Sequence, residues 1–451
     1  MYTQHILTRG LNLVCLAIVM AALPATLSAA EIAAKKIAND AQQFSADKPA
    51  ALQPIYNALW VEGEHNAVLN FNYLGLASLE LGDYAVAEKA FDAAIERIEA
   101  IYADNPSAQK AKSLFAAEKV KDFKGEPYER AMTYFYRGIL YVRAGDYQNA
   151  RASFLSAERQ STLSENETYD STFGLMDYLA GWSSYCDGDV SRAQELGARA
   201  SKVQPQIFDS LRPDVSYIGL IDVGTGPIKF GTGQYGEKLS FKSSGEPPTI
   251  SSVEANAATI SSPLVAGDLN WQAFTRGGRP VDAILNGKAQ WKSGTNAASA
   301  ALTTAGYVTS VEGALSGNQN LQNAGTIGMA VGIIGGLFAK AMNPAADTRE
   351  WSNLPADIAV GSGQLGAAGT PSLSFVATSG TSGSTVLNAR AGKCGLSWGR
   401  TDSSIESAIA HVRKPVLAEV KHEAVNAQFR SFLASTFTTQ PASVATASNS
   451  N

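Results

Sequence analysis

Four histidines and three cysteines among 451 residues leave too few ligands for a zinc cluster, and neither CxxC nor HExxH occurs. Charge is scarce as well. Only 17% of residues are Asp, Glu, Lys or Arg, and 36 basic against 41 acidic side chains give a net −5. Such a balance leaves no basic footprint for nucleic acid. The glycines between Gly224 and Gly236 lack the Gly-Lys-Ser/Thr ending of a P-loop. What is plentiful is apolar side chain, at 45%, together with 40 glycines. That suffices for two or three domains and at least one sizeable core. No metal, no cofactor and no catalytic residue is expected.

Residues 1–30 hold one charge, Arg9, then an apolar run from Leu11 to Leu27, then Ser28-Ala29-Ala30. A basic start, a short apolar core and small residues before a cut describe a secretory signal peptide. The protein is therefore expected outside the cytoplasm, in the periplasm or at the outer membrane, with an uncleaved anchor as the alternative. Cys15 follows Asn12-Leu13-Val14 rather than a small residue, so no lipoprotein signal is read. Cys186 and Cys394 fall in different expected domains. They are read as two separate buried thiols, although an oxidising compartment permits a bridge.

Composition changes near residue 212. Residues 31–212 carry 26 acids and 19 bases, and residues 213–451 carry 15 and 16. Ala, Glu and Lys at helical spacing give way to Gly, Ser and Thr. The expected class is α+β: a helical array over 31–212, then a mainly antiparallel β domain over 213–415. That second domain has a helical, glycine-rich insertion at 280–342. A C-terminal helix over 416–437 and a disordered tail over 438–451 complete the expectation.

The helical half repeats itself. From Gly75, the offsets +7, +9, +12, +16 and +19 give Gly82, Tyr84, Ala87, Phe91 and Ala94. From Gly138 they give Gly145, Tyr147, Ala150, Phe154 and Ala157, and from Gly181 they give Gly188, Val190, Ala193, Gly197 and Ala200. Small residues let antiparallel helices approach, here Gly75 towards Ala87, and a Gly-Asp turn ends one helix and caps the next. The pattern resembles the tetratricopeptide repeat. In such arrays the first helix of each pair lines a concave face. Asn72, Leu76, Leu79, Phe135, Ile139, Val142, Tyr178, Trp182 and Tyr185 would then form an apolar, aromatic stripe. One reading is a groove for a partner protein's peptide or helix. The other is a groove filled by this chain's own flanking helices. Ile32–Phe44 and Ala50–Val61 are further expected helices.

In the second half, Ser216–Val223, Lys238–Lys242, Thr249–Ile260, Ile358–Val360, Ser372–Thr378, Thr385–Ala391 and Cys394–Trp398 read as strands. They are expected to make one antiparallel sheet or sandwich. Helical stretches are read at Val281–Leu285, Thr295–Leu315 and Gly325–Ala341, and a last helix at Val416–Phe432. In the run from Gly325 to Met342, Gly328, Gly332 and Gly336 recur every four residues on one helix face. Close helix contact is the usual compensation for that much glycine. A buried hairpin, shallow or oligomeric membrane insertion, and a true span compete as explanations.

Gly395-Leu396-Ser397-Trp398-Gly399 matches GxSxG, and Asp402 and His411 follow in hydrolase order. A nucleophile elbow needs strand, turn and helix, with room between the triad members, and 14 residues leave none. Asp222-Val223-Gly224-Thr225-Gly226 reads as a turn. Glu126 and Glu129 sit three apart on a helix, as a capping or solvated face does.

The stretch Phe123-Lys124-Gly125-Glu126-Pro127-Tyr128-Glu129-Arg130, with Tyr134, Tyr136 and the turn at Gly145-Asp146-Tyr147, resembles a family of bacterial exported tetratricopeptide proteins of unassigned activity. Their genes often accompany those of an outer-membrane activator of peptidoglycan synthases. Gly278–Leu285, the glycine-rich run, and Asp347-Thr348-Arg349-Glu350-Trp351 with Leu354-Pro355 extend the resemblance over most of residues 65–400. It implies a role in envelope biogenesis, and no catalytic residues carry over from it. Members are often lipoproteins, and this chain lacks that signal.

The functional expectation is a noncatalytic extracytoplasmic scaffold. It would bind a protein partner, with membrane association through 325–342 and homo-oligomerisation as further expectations. The alternatives are a cell-wall hydrolase or transferase using Ser397 or Glu126/Glu129, and a surface or secreted assembly subunit.

Overall fold

Three helix pairs in the first half close with the same joint. In the computed structural model, Gly82, Gly145 and Gly188 all have left-handed φ, at 76°, 76° and 96°. The amides of Asp83, Asp146 and Asp189 reach back to Ser78 O, Tyr141 O and Ser184 O. Each aspartate carboxylate then accepts from the amide three residues on, at Val86, Asn149 and Arg192. Glycine stops one helix without a Cβ penalty, and aspartate caps the next.

The structure describes residues 29–103, 122–123, 125–162, 173–234, 236–275, 346–406, 408 and 423–438. The helices are α1 (Ala29–Ser45), α2 (Gln53–Glu62), α3 (Ala67–Glu80), α4 (Tyr84–Ala103), α5 (Pro127–Ala144), α6 (Tyr147–Thr162), α7 (Gly174–Asp187), α8 (Val190–Val203) and the single turn α9 (Pro205–Phe208). Neighbouring helices pack in pairs along the array. The glycine anchors explain how closely. A Cβ added at Gly75 would lie 2.7 Å from the Phe91 ring, and one at Gly138 would lie 2.6 Å from the Phe154 ring. The expected neighbour, Ala87, is displaced from that role by the +16 aromatic. In the third copy Gly197 removes the ring, and Gly181 meets the α8 backbone at Ala193 O, 3.1 Å away.

The described residues of the second half form ten strands. They are β1 (Tyr217–Val223), β2 (Ile228–Thr232), β3 (Lys238–Lys242), β4 (Ile250–Asn256), β5 (Leu264–Asp268), β6 (Asp357–Gly363), β7 (Ser372–Ala377), β8 (Ser382–Ser384), β9 (Leu387–Ala391) and β10 (Cys394–Arg400). Helix α10 (Leu269–Thr275) follows β5, and α11 (Glu423–Thr436) comes last. The main sheet runs β5-β6-β1-β10-β9, with β2-β3 and β4-β7-β8 as smaller sheets. The β half is mainly antiparallel, as expected, but the single sheet or sandwich needs correction: the described residues form three sheets, and in the main one β1 and β10 pair in parallel, Leu220 opposite Trp398. A parallel pair demands a long return path, and here the chain between them builds the rest of the β half.

One core unites the two halves. Helix and strand side chains, from Leu52 to Phe437, belong to a single buried apolar cluster. Residues 67–79 of α3 are all buried, as are 127–140 of α5. A helix buried along its length must be covered on every side. Helix α5 meets α6 on one side and β9 and α10 on others, while α3 packs against α4 and α2. The separate-thiol expectation therefore fails: Cys186 near the end of α7 and Cys394 at the start of β10 are disulfide-bonded, with Cα atoms 5.8 Å apart. Expecting separate domains hid the fact that a common core brings these ends together.

At the amino end of the array, α11 lays Phe429 and Leu433 against the helices, with Phe429 and Phe432 around the Phe71 ring. The Arg97 guanidinium faces all three rings. Asn426 Oδ1 accepts from Glu64 N beside Gly63, where no Cβ would fit. The expected helices Val281–Leu285, Thr295–Leu315 and Gly325–Ala341, with Gly328, Gly332 and Gly336, lie outside the described residues, as do residues 1–28, the 416–422 part of the last helix and residues 439–451.

Candidate functional site

The stripe is where the sequence placed a partner. Asn72, Leu76, Leu79, Phe135, Ile139, Val142, Tyr178 and Trp182 are each no more than 1% exposed, and Tyr185 is half-buried. As an open groove the stripe needs correction: this chain already fills it. Neighbouring helices cover much of it, β9 packs on α5 and β5 on α7, and the link at 212–215 accepts from Tyr178 and Trp182. Asn72 Oδ1 accepts from Thr133 Oγ1 at 3.0 Å, tying α3 to α5. Trp182 Nε1 donates to Val215 O at 2.9 Å, and Tyr178 OH donates to Arg212 O. The Lys393 ammonium sits 3.9 Å from the Tyr185 ring centre, beside the disulfide.

A strap at residues 346–356 packs on the helices beside the stripe. Trp351 is 2% exposed and contacts the rings of Phe91 and Tyr136. Tyr73 OH donates to Glu350 O at 2.9 Å and accepts from Ser352 N at 3.0 Å. The Arg349 guanidinium donates to Asp347 and to Asn66 Oδ1, and faces the Phe123 ring.

Two buried ionic clusters hold strap, helices and strands together. Glu129 on α5 accepts from Lys229 Nζ at 2.5 Å, Trp351 N at 2.8 Å and Glu126 N at 2.6 Å. Lys229, on β2, also donates to Arg349 O, and its amide donates to Glu350 Oε2. Burial pushes the Glu129 carboxyl up while Lys229 pulls it down. In the second cluster, Asp222 Oδ2 accepts from Tyr136 OH at 2.7 Å, with Arg400 Nη1 3.4 Å away. Burial raises Asp222 to about 6 against the pull of Arg400. Arg400 Nη2 donates onward to Asn353 O. These ions meet one another and the backbone, with no face open to a substrate.

The repeated tyrosines serve the same joint. Tyr84 OH donates to Val386 O and Tyr147 OH to Ala391 O, so the +9 position of two repeats fastens the chain around β9. The third repeat has Val190 there, 45% exposed. Lys229, Arg400 and Trp351 went unremarked as partners in the sequence. The recurring Gly-Asp-Tyr was the one signal that pointed to this contact.

Ser397 is fully buried within β10, and its hydroxyl donates to Pro371 O at 3.1 Å. The GxSxG match thus lies inside a strand rather than at a strand–turn–helix elbow. Glu126 and Glu129 form a capping box at the start of α5. A shallow cleft of about 280 Å³ opens where β1 and β10 end, lined by Thr225, Ser244, Glu246, Thr381, Thr401 and Asp402 among others. It brings together hydroxyls and carboxylates without an imidazole or thiol. Among the described residues no group of three or more His, Cys, Asp or Glu could hold a metal ion, and no helix is long and apolar enough to cross a membrane. No family model, no curated protein and no solved structure matches the chain.

Proposed function

We propose that this chain is a noncatalytic scaffold of the bacterial cell envelope, exported and oxidised, whose tetratricopeptide-like array is turned inward to build a rigid body. The partner-binding part is the segment 276–345, with the glycine-rich run 325–342, which engages a protein partner, other copies or a membrane. The observation that carries the reading is how this segment is rooted. Its outgoing stem, α10, is tied to the incoming strap by Leu269 N donating to Ala356 O at 2.8 Å, next to the β5–β6 pairing of Asp268 with Asp357. At the return end, Ala346 N donates to Gly236 O, and the strap then enters the Glu129–Lys229 cluster. Both flanks of residues 276–345 are thus tied into the body. The disulfide supports an oxidising compartment.

Crosslinking pull-down from intact cells tests this. Replacing 325–342 by a Gly/Ser linker of equal length should abolish the captured partner or the membrane fraction, while the body stays folded. Unchanged capture and fractionation would contradict the reading. The hydrolase alternative predicts an envelope defect for Ser397→Ala comparable to deletion of the chain; the scaffold predicts none beyond any loss of folding.

A further inference from the structure

The β2–β3 hairpin and α10, which packs against β3, both carry exposed aromatics. Among the described Phe and Trp residues, three are exposed: Phe230 at 37%, Trp271 at 40% and Phe274 at 48%. Phe230 lies on β2, and the other two lie three apart on α10. Val265, 36% exposed on β5, immediately precedes α10. The register of the hairpin fixes what surrounds Phe230. Ile228 pairs with Lys242, Phe230 with Ser240 and Thr232 with Lys238, so these six share one face. The opposite face carries Lys229 and Phe241 inward, to Glu129 and Tyr128. Lys238 and Lys242 are exposed, so an aromatic ring is bracketed by two ammonium groups. The nearest exposed carboxylate on α10's approach, Asp268, accepts from Trp271 N at the helix start.

We propose that the β2–β3 hairpin and α10 form a docking surface for an anionic lipid surface. Exposed Trp and Phe suit the headgroup boundary, where an amphipathic ring is half wet. Flanking lysines add attraction to acidic headgroups within a Debye length. Buried Leu269, Gln272 and Ala273 fasten the other side of α10 to the body, so the rings are presented on a fixed base. The inference rests on the reading that this body works at the envelope, but uses a different surface from 325–342.

The test is co-sedimentation of the exported full chain, disulfide intact, with phosphatidylcholine vesicles containing or lacking phosphatidylglycerol. Binding to the anionic vesicles should fall about tenfold for Trp271→Ser/Phe274→Ser. It should also fall for Lys238→Glu/Lys242→Glu, whose side chains are exposed and whose loss leaves the core intact. Added salt should weaken the wild type. Binding that ignores both variants overturns the inference; if it then disappears when 325–342 is replaced, the proposed function stands without this surface. No binding to either vesicle overturns it as well. So does a self-association in solution that the aromatic variant abolishes, since the rings would then meet a second copy.

Discussion

The Glu129 carboxylate and the Lys229 ammonium, from α5 and β2, meet at 2.5 Å with both side chains about 1% exposed. Breaking such a pair from one side leaves a buried charge without its counter-ion, at a cost of about 3–5 kcal/mol. Lys229→Met should lower stability to urea by that amount. Glu129→Gln together with Lys229→Met should lose less than the sum of the single changes, with a coupling above about 1 kcal/mol. Strict additivity would mean that the pair does not join the halves.

The Cys186–Cys394 bond closes a separation of 208 residues across the common core. Removing a crosslink of this span costs about 2–5 kcal/mol. Cys186→Ser/Cys394→Ser should melt at a lower temperature than the oxidised wild type. Dithiothreitol should bring the wild type down to the variant and leave the variant unmoved. Equal melting with and without reductant would show that the bond does not hold the halves.

Gly138 and the Phe154 ring are in such close contact that Gly138→Ala should overpack the α5–α6 pair, costing about 1–3 kcal/mol. Adding Phe154→Leu should recover part of the loss by making room. A neutral Gly138→Ala would contradict the packing role assigned to the repeat anchor.

Stability should also respond to pH through Asp177. Burial raises its carboxyl to about 7, with Arg199 lowering it and Glu158 raising it. The unfolded carboxyl ionises near its ordinary value of 3.8. Between about pH 4 and 7 the folded state therefore holds the extra proton, and this contribution to stability falls as pH rises. Asp177→Asn should be more stable than wild type at pH 8 by about 2 kcal/mol, a figure reduced for partial solvent screening. The difference should vanish near pH 4. A variant less stable at pH 8 would reverse the assigned sign.

Much of this was written in the chain. The Gly-Asp joints followed from glycine's access to left-handed φ and aspartate's capping oxygen, and strands such as Lys238–Lys242 followed from alternation between turns. The filled groove was legible too, in principle: residues 67–79 have no polar face, so no side of α3 could remain in water. What the sequence hid were relations between distant residues. Nothing local to Lys229 says that Glu129 lies 100 residues back, and nothing near Cys394 says that α7 ends beside it. Strands β2 and β5 were missed because they are short and glycine-interrupted, Ile228–Thr232 and Leu264–Asp268. The GxSxG match was correctly set aside, since three small or polar residues in five also suit a buried strand that neighbours must approach closely, as Thr385 and Ser384 approach Gly399.

The central claim is that the aromatic stripe of the array is covered by this chain itself. Maleimide labelling of single added cysteines in intact cells tests it most directly. Val142→Cys places the thiol on the stripe, and Val190→Cys places it at the exposed end of the third repeat, 45% open to solvent. The account predicts rapid labelling at 190 and labelling at 142 only after denaturation. Comparable labelling of both in cells would show that the groove stands open, and the inward-turned array would be refuted.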